Sequence, residues 1–334
     1  MKSIPMDSNK AKQGTDCYIF GMVFKGDLED MPEQPLTNKQ GKKYGKISIA
    51  YGKVTLALVL PSFIRENNEK SFTLLDADSL ELIKSDCKKQ LKHLLGTDIK
   101  IKIKSVEAKS IEVNITQKVS GKATQADVLN LINHACLSKF SDNVKYVGPN
   151  RNNPLKEETH TVIVKRPHYY VIKAYDKTQQ LQSKLLSEHK PTSSVPSGLL
   201  RIELIFSDRT LYKLFGNRLN ISNILSEDAL KELMREYKRV FCDEMIPKIE
   251  TYLDNCVSVL VESLCDTENP IATIAEHREL IPDTEVLRKA LEQYNRLRGK
   301  SNHNLSRDVK RYTVKFGLPQ DVLLTLYDFK KSCG

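Results

Sequence analysis

The sequence predicts an α+β protein: an antiparallel sheet with helices packed on one face, followed by an α-helical C-terminal domain. Three observations predict it. Between Cys17 and Phe206, stretches of two-residue alternation interleave with stretches of helical spacing. Short turn signals join several of the alternating stretches, as hairpins require. Beyond about residue 217 the alternation stops and helix formers dominate to the end of the chain. With 334 residues, 40% of them hydrophobic and 28% charged, the chain is long enough for about two domains and has ordinary globular composition, which excludes disorder, collagen and a small stapled scaffold.

Residues 1–16 are polar and aperiodic and read as a flexible tail. Strands are expected over Tyr18–Lys25, Lys46–Tyr51 and Lys53–Leu60, the last two joined at Gly52 in a tight hairpin. Asp76–Leu95 carries Leu80, Ile83, Cys87, Leu91 and Leu94 at helical spacing and stops at Gly96; strands Ile99–Lys104 and Ser110–Thr116 follow. Thr124 is placed to cap a helix reaching Phe140, with Val128, Leu131, Ile132 and Cys136 inward. A hairpin of Thr159–Val164 and Tyr169–Tyr175, a short helix, and a strand Leu199–Phe206 complete the domain 17–217. In 218–334 a long helical stretch, Asp228–Leu264, must be kinked or divided at Pro247, and Thr284–Arg298 is a further helix.

The N-terminus lacks an apolar signal core and no apolar run reaches the length of a membrane span, so a cytoplasmic protein with no membrane partner is expected. Seven cysteines without a CxxC pair fit reduced thiols. The 52 basic residues against 42 acidic ones give a net charge of +10 and a pI near 9.1, which makes nucleic acid the first partner to expect.

Strand alternation sets the candidate site. Ile111, Val113 and Ile115 face one way while Glu112, Asn114 and Thr116 face the other; Leu200, Ile202, Leu204 and Phe206 oppose Arg201 and Glu203. Val171, Lys173 and Tyr175 share a side. If these strands are neighbours, Glu112, Glu203, Tyr175 and Asp176 converge on one open face: carboxylates for a divalent metal beside a phenol that can attack phosphorus. A phenol titrates near pH 10, so attack near neutrality needs a cation close by, which Lys173 or Lys177 supplies. Tyr169 and Tyr170 read as packing residues or base-stacking surfaces.

The ordered segments Ser110–Thr116, Thr161–Val164 through Lys173–Lys177, and Leu200–Ile205 resemble the rolling-circle replication initiators of filamentous phages, the gene II protein family. The resemblance covers roughly residues 50–216 and returns at Arg311–Tyr312 and Phe316–Pro319. It implies Tyr175 as nucleophile, Lys177 as its companion, and Glu112 and Glu203 as acids holding Mg²⁺ or Mn²⁺, with Asp176 in support. Gln180 stands where family members often carry Glu, and the Gly-His-Asn stretch of many members is absent. The activity implied is nicking of supercoiled origin DNA through a 5′-phosphotyrosine, followed by strand rejoining, in a bacterial host cell. Partners implied are double-stranded origin DNA, the displaced single strand, and host helicase and polymerase.

Seven cations, Arg296, Arg298, Lys300, Arg307, Lys310, Arg311 and Lys315, face one acid, Asp308, in the run Arg296–Lys315. Ser306 as N-cap, Gly317 as stop and Pro319 in the next first turn give a basic helix pair suited to DNA phosphates. With Lys173 and Arg201 they form the expected DNA contacts. A second basic cluster is Lys84, Lys88, Lys89 and Lys92 on a helix with Lys100, Lys102 and Lys104 on a strand. The alternative is a noncatalytic nucleic-acid-binding protein that uses the sheet face and these basic helices.

Overall fold

A computed structural model of the protein describes residues 12–23, 29–65, 71–95, 106–137, 144–146, 161–166 and 168–333. Among the described residues nine strands form one antiparallel sheet: β1 (Lys12–Val23), β2 (Met31–Thr37), β3 (Lys43–Ala50), β4 (Lys53–Val59), β5 (Glu107–Lys118), β6 (Val144–Tyr146), β7 (Thr161–Arg166), β8 (Tyr170–Asp176) and β9 (Leu199–Ser207), in the order β2-β3-β4-β1-β5-β9-β8-β7-β6. The three strands expected to bear the site, β5, β9 and β8, are consecutive at its centre. The helices are α1 (Leu60–Ile64), α2 (Ser79–Leu95), α3 (Gln125–Leu137), α4 (Lys177–Ser187), α5 (Asp208–Phe215), α6 (Ile221–Ile224), α7 (Glu227–Lys238), α8 (Ile246–Cys265), α9 (Pro270–Glu276), α10 (Thr284–Leu297), α11 (Leu305–Phe316) and α12 (Val322–Ser332). The α+β class with a helical C-terminal region is as the sequence predicts.

Local chemistry explains several elements. At the β3–β4 turn Tyr51 and Gly52 have φ of 50° and 67°, the pair of left-handed residues that a two-residue hairpin needs. Thr124 caps α3 by accepting from Asp127 N, while the Asp127 carboxylate accepts from Thr124 N. Pro247 sits in the first turn of α8, where a missing N–H is harmless, and a π-helical turn over Arg239–Met245 joins α7 to it. Gly317 ends α11 in the left-handed conformation expected of it, with φ of 59°. α11 itself begins at Leu305, one residue before the expected cap Ser306, and Pro319 lies outside α12, its carbonyl accepting from Thr284 N.

Two expectations change. The tail does not extend to residue 16: β1 begins at Lys12, and Lys12–Thr15 pair with Val113–Thr116 of β5. These polar residues are held by the ladder rather than by greasy side chains. Nor does the core break near residue 217. One continuous apolar cluster runs from Tyr18 to Cys333. The face of β5 and β9 bearing Ile111, Val113, Ile115, Ile202 and Leu204 is fully covered, and α7 and α12 contact β5 while α3 contacts β7 and β8. Tyr237 donates to Ile202 O and Gln117 to Thr325 O across this junction. An apolar sheet face must be covered, and the C-terminal helices are its cover. Buried Asp283 ties two of them together, accepting from Glu285 N at the start of α10 and from Val322 N and Leu323 N at the start of α12. The expected strand Ile99–Lys104, with Lys100, Lys102 and Lys104, lies outside the described residues.

Candidate active site

Register decides which side chains meet. Along β5 and β9, Glu112 lies opposite Ile205, Asn114 opposite Glu203 and Thr116 opposite Arg201. Along β9 and β8, Glu203 lies opposite Lys173 and Arg201 opposite Tyr175. Directly opposed residues in an antiparallel pair share a face, so Glu112, Glu203, Arg201, Lys173 and Tyr175 all stand on the polar face, as expected from alternation. Glu112 and Glu203 are diagonal neighbours, a separation of about 7–8 Å between such positions.

These residues line a cavity of about 540 Å³, together with Asp16, Cys17, Thr161, Asp176 and, from α4, Gln179, Gln180 and Ser183. The Tyr175 hydroxyl donates to Glu203 Oε1. Arg201, 0% exposed, donates to Asp16 Oδ2 through Nη1 and to Thr116 Oγ1 through Nε at 2.6 Å, and its Nη1 lies 3.8 Å from Glu203 Oε1. Arg201 was expected on DNA; it is instead the buried counter-ion of the acids in the wall.

Asp16 is the residue the sequence reading missed. Between Thr15 and Tyr18 β1 takes three steps while β5 takes two, from Val113 to Ile111. This bulge sets Asp16 and Cys17 against Glu112. Asp16 is 3% exposed, and its Oδ1 has no hydrogen-bond partner.

The other expected residues divide. Asp176 caps α4, its Oδ1 accepting from Gln179 N at 2.9 Å, so one of its oxygens is committed. Lys177 is fully buried and is not among the described residues that line the cavity; its ammonium donates to Gln180 Oε1 at 2.6 Å and lies 5.8 Å from the Tyr175 ring centroid. Burial, then Arg201, pull its pKa down to about 8. Lys173 is the cation that lines the cavity without being sealed in. Arg296, Arg298, Lys300, Arg307, Lys310, Arg311 and Lys315 are exposed on α10, α11 and the turn between them. Arg311 pairs with Asp308 at 3.6 Å, while Arg298 and Lys300 flank the Tyr294 ring.

Burial and crowding of like charge set the electrostatics. Burial first, then Glu203 and Asp16, push the Glu112 carboxyl up to about 8. Burial and the Glu203 charge hold the Tyr175 phenol well above its ordinary value, and burial lifts the Cys17 thiol to about 11. Among the described residues no group of three or more His, Cys, Asp or Glu side chains is gathered to hold a metal. The carboxylates expected for a metal, Glu112 and Glu203, stand as a pair on that face, with Asp16 and Asp176 beside them on the cavity wall. That pair fits Mg²⁺ or Mn²⁺ in one way: such an ion is commonly held by one or two carboxylates, with water and substrate phosphate completing the shell.

A pH dependence follows. The folded protein without divalent ions keeps a proton on Glu112 between about 4.5 and about 8 that the unfolded chain has released. Stability should fall as pH rises through that window, by on the order of 1–3 kcal/mol, and level off above it. Lys177 acts with the opposite sign and only above about 8, so the windows are separate. Urea midpoints across about pH 5 to 8.5 should slope downward in the wild type and flatten in Glu112→Gln; parallel slopes would show that Glu112 titrates normally.

No protein-family model matches the chain, and no curated protein is similar to it. Among the described residues no helix is long and apolar enough to cross a membrane.

Proposed function

We propose that the chain is a rolling-circle replication initiator that nicks one strand of supercoiled DNA with Tyr175 and later rejoins it, in the cytoplasm of a bacterial host. The observation that carries this reading is the convergence, on one polar sheet face, of a phenol bound to a carboxylate, a second carboxylate two rungs away, and a cation at the cavity wall.

The residues divide the work. Glu203 orients the Tyr175 hydroxyl and accepts its proton as the phenol oxygen attacks phosphorus. The new oxygen–phosphorus bond forms as the bond to the 3′ oxygen breaks, and the departing 3′ oxygen takes a proton from solvent. The 5′ phosphate stays on Tyr175, and reversal of the step rejoins a strand. Lys173 faces the nonbridging oxygens; Arg201, fixed by Asp16, stands 3.8 Å from Glu203 Oε1 as its counter-charge. Mg²⁺ or Mn²⁺ held by Glu112 and Glu203 would supply the remaining charge neutralisation. The exposed cations of α10 and α11 add affinity for duplex phosphates without sequence choice. Host helicase and polymerase would act on the free 3′ end.

The test is supercoiled DNA carrying a candidate origin, incubated with the protein and Mg²⁺ and then denatured with detergent. A nicked circle with protein on its 5′ end, lost when a chelator is added, is the expected result. Salt-sensitive binding with no covalent product in Mg²⁺ or Mn²⁺ would leave the noncatalytic nucleic-acid-binding reading in its place.

A further inference from the structure

Away from the cavity, where β7 turns into β8, the structure places a second cluster of aromatic and cationic side chains. Tyr169 is 37% exposed, and two guanidiniums lie over its ring, Arg166 at 5.1 Å and Arg209 at 5.3 Å from the centroid. Arg209 belongs to α5, and one turn further along the same helix face stands Tyr212, 60% exposed, with Lys213 beside it. The backbone fixes the cluster: His168 has φ of 64°, and Tyr169 O accepts from Ser207 N and from Thr210 Oγ1, which lock the turn to the start of α5. Arg166 is balanced by Glu244 at 2.8 Å, and Asp208 is the nearest acid on α5; no ion pair among the described residues involves Arg209 or Lys213.

We infer that Tyr169, Arg209 and Tyr212 form a stacking platform for single-stranded nucleic acid. The apolar side of α5, Leu211 and Phe215, is spent on the core, so folding does not require an aromatic ring and a guanidinium on its outer face. Exposed rings alternating with cations match a single strand chemically: each base offers a π-face to a ring or guanidinium plane, and each phosphate offers a charge to Arg209 or Lys213. Duplex DNA hides those base faces, so the platform favours unpaired strand. Tyr169, in the turn just before β8, lies six residues from Tyr175, about 20 Å at strand spacing. That is roughly six stacked nucleotides, so a strand leaving the cavity reaches the platform. Its place in replication rests on the nicking reading; the binding itself does not.

The experiment is fluorescence anisotropy with a labelled oligothymidylate, compared with an abasic oligomer of equal length, in the absence of divalent ions. Tyr212→Ala and Arg209→Ala should each weaken oligothymidylate binding about fivefold to tenfold or more, by the usual contribution of one stacked base. Tyr212→Phe should bind as the wild type does, since the ring and not its hydroxyl is used, and Tyr212→Ala should make no difference to the abasic oligomer. Tyr175→Phe should bind oligothymidylate normally, so loss of nicking and loss of the platform are read separately. Unchanged oligothymidylate binding in both alanine variants, or an equal loss for the abasic oligomer in Tyr212→Ala, overturns the inference.

Discussion

Tyr175→Phe is expected to abolish the covalent protein–DNA product, lowering the rate of nicking by about a thousandfold or more, while DNA binding persists. The ring should keep its place between β9 and Lys177, since only the hydroxyl is removed. What is lost besides the nucleophile is the hydrogen bond to Glu203, whose carboxylate retains Arg201 at 3.8 Å, so the stability change should stay within about 1–3 kcal/mol. Glu203→Gln separates positioning from charge. The amide oxygen still accepts from the phenol, but the negative charge that raises the phenol pKa is gone, so Tyr175 should ionise at lower pH by ultraviolet titration even as nicking falls. A detergent-resistant adduct surviving in Tyr175→Phe would move the nucleophile elsewhere and remove the basis of the proposed mechanism.

The faces of the central strands were legible because alternation is strict where one face is buried. Ile111, Val113 and Ile115 are 0% exposed, and so are Leu200, Ile202 and Phe206. A one-residue slip would have exchanged the acids with the core, so the polar set was determined together with the apolar one. Turn and cap chemistry was legible for the same local reason at Gly52, Thr124 and Gly317. β2 was not: Pro32 and Pro35 argue against a strand, and it exists because it is the sheet's edge, where missing donors are tolerated. The helical region read as a separate domain because amphipathic stripes do not say what they cover. Their partner, the greasy face of β5 and β9, is separated from them only in sequence.

Asp16 was illegible for a sharper reason. A bulge interrupts the two-residue period at Asp16 and Cys17, the residues it re-aims, and Lys12–Thr15 before it carry no apolar side chain to mark a face. The consequence is that the site's charge balance, unlike its nucleophile, had to be seen in the fold.

That balance yields the largest stability effect. Arg201 stands among Asp16, Glu203 and Glu112, and Arg201→Ala leaves three acids around one cavity with the half-buried Lys173 and the buried Lys177 against them. Removing one partner of a buried ion pair typically costs about 3–5 kcal/mol, most of it the desolvation of the charge left behind. Asp16→Ala should cost less, because the stranded guanidinium keeps Glu203 and Thr116 as partners. The Arg201→Ala deficit should also depend on pH. Loss of the cation raises the Glu112 carboxyl further, so the variant should lie nearest the wild type near pH 5 and fall away as pH rises and Glu112 is forced to ionise. If Glu112 and Glu203 hold a divalent ion, Mg²⁺ should raise the melting temperature of Arg201→Ala more than that of the wild type, since the ion replaces the missing charge. Equal stability of Arg201→Ala and wild type at neutral pH would overturn the role of Arg201 as the counter-ion of the acids in the wall.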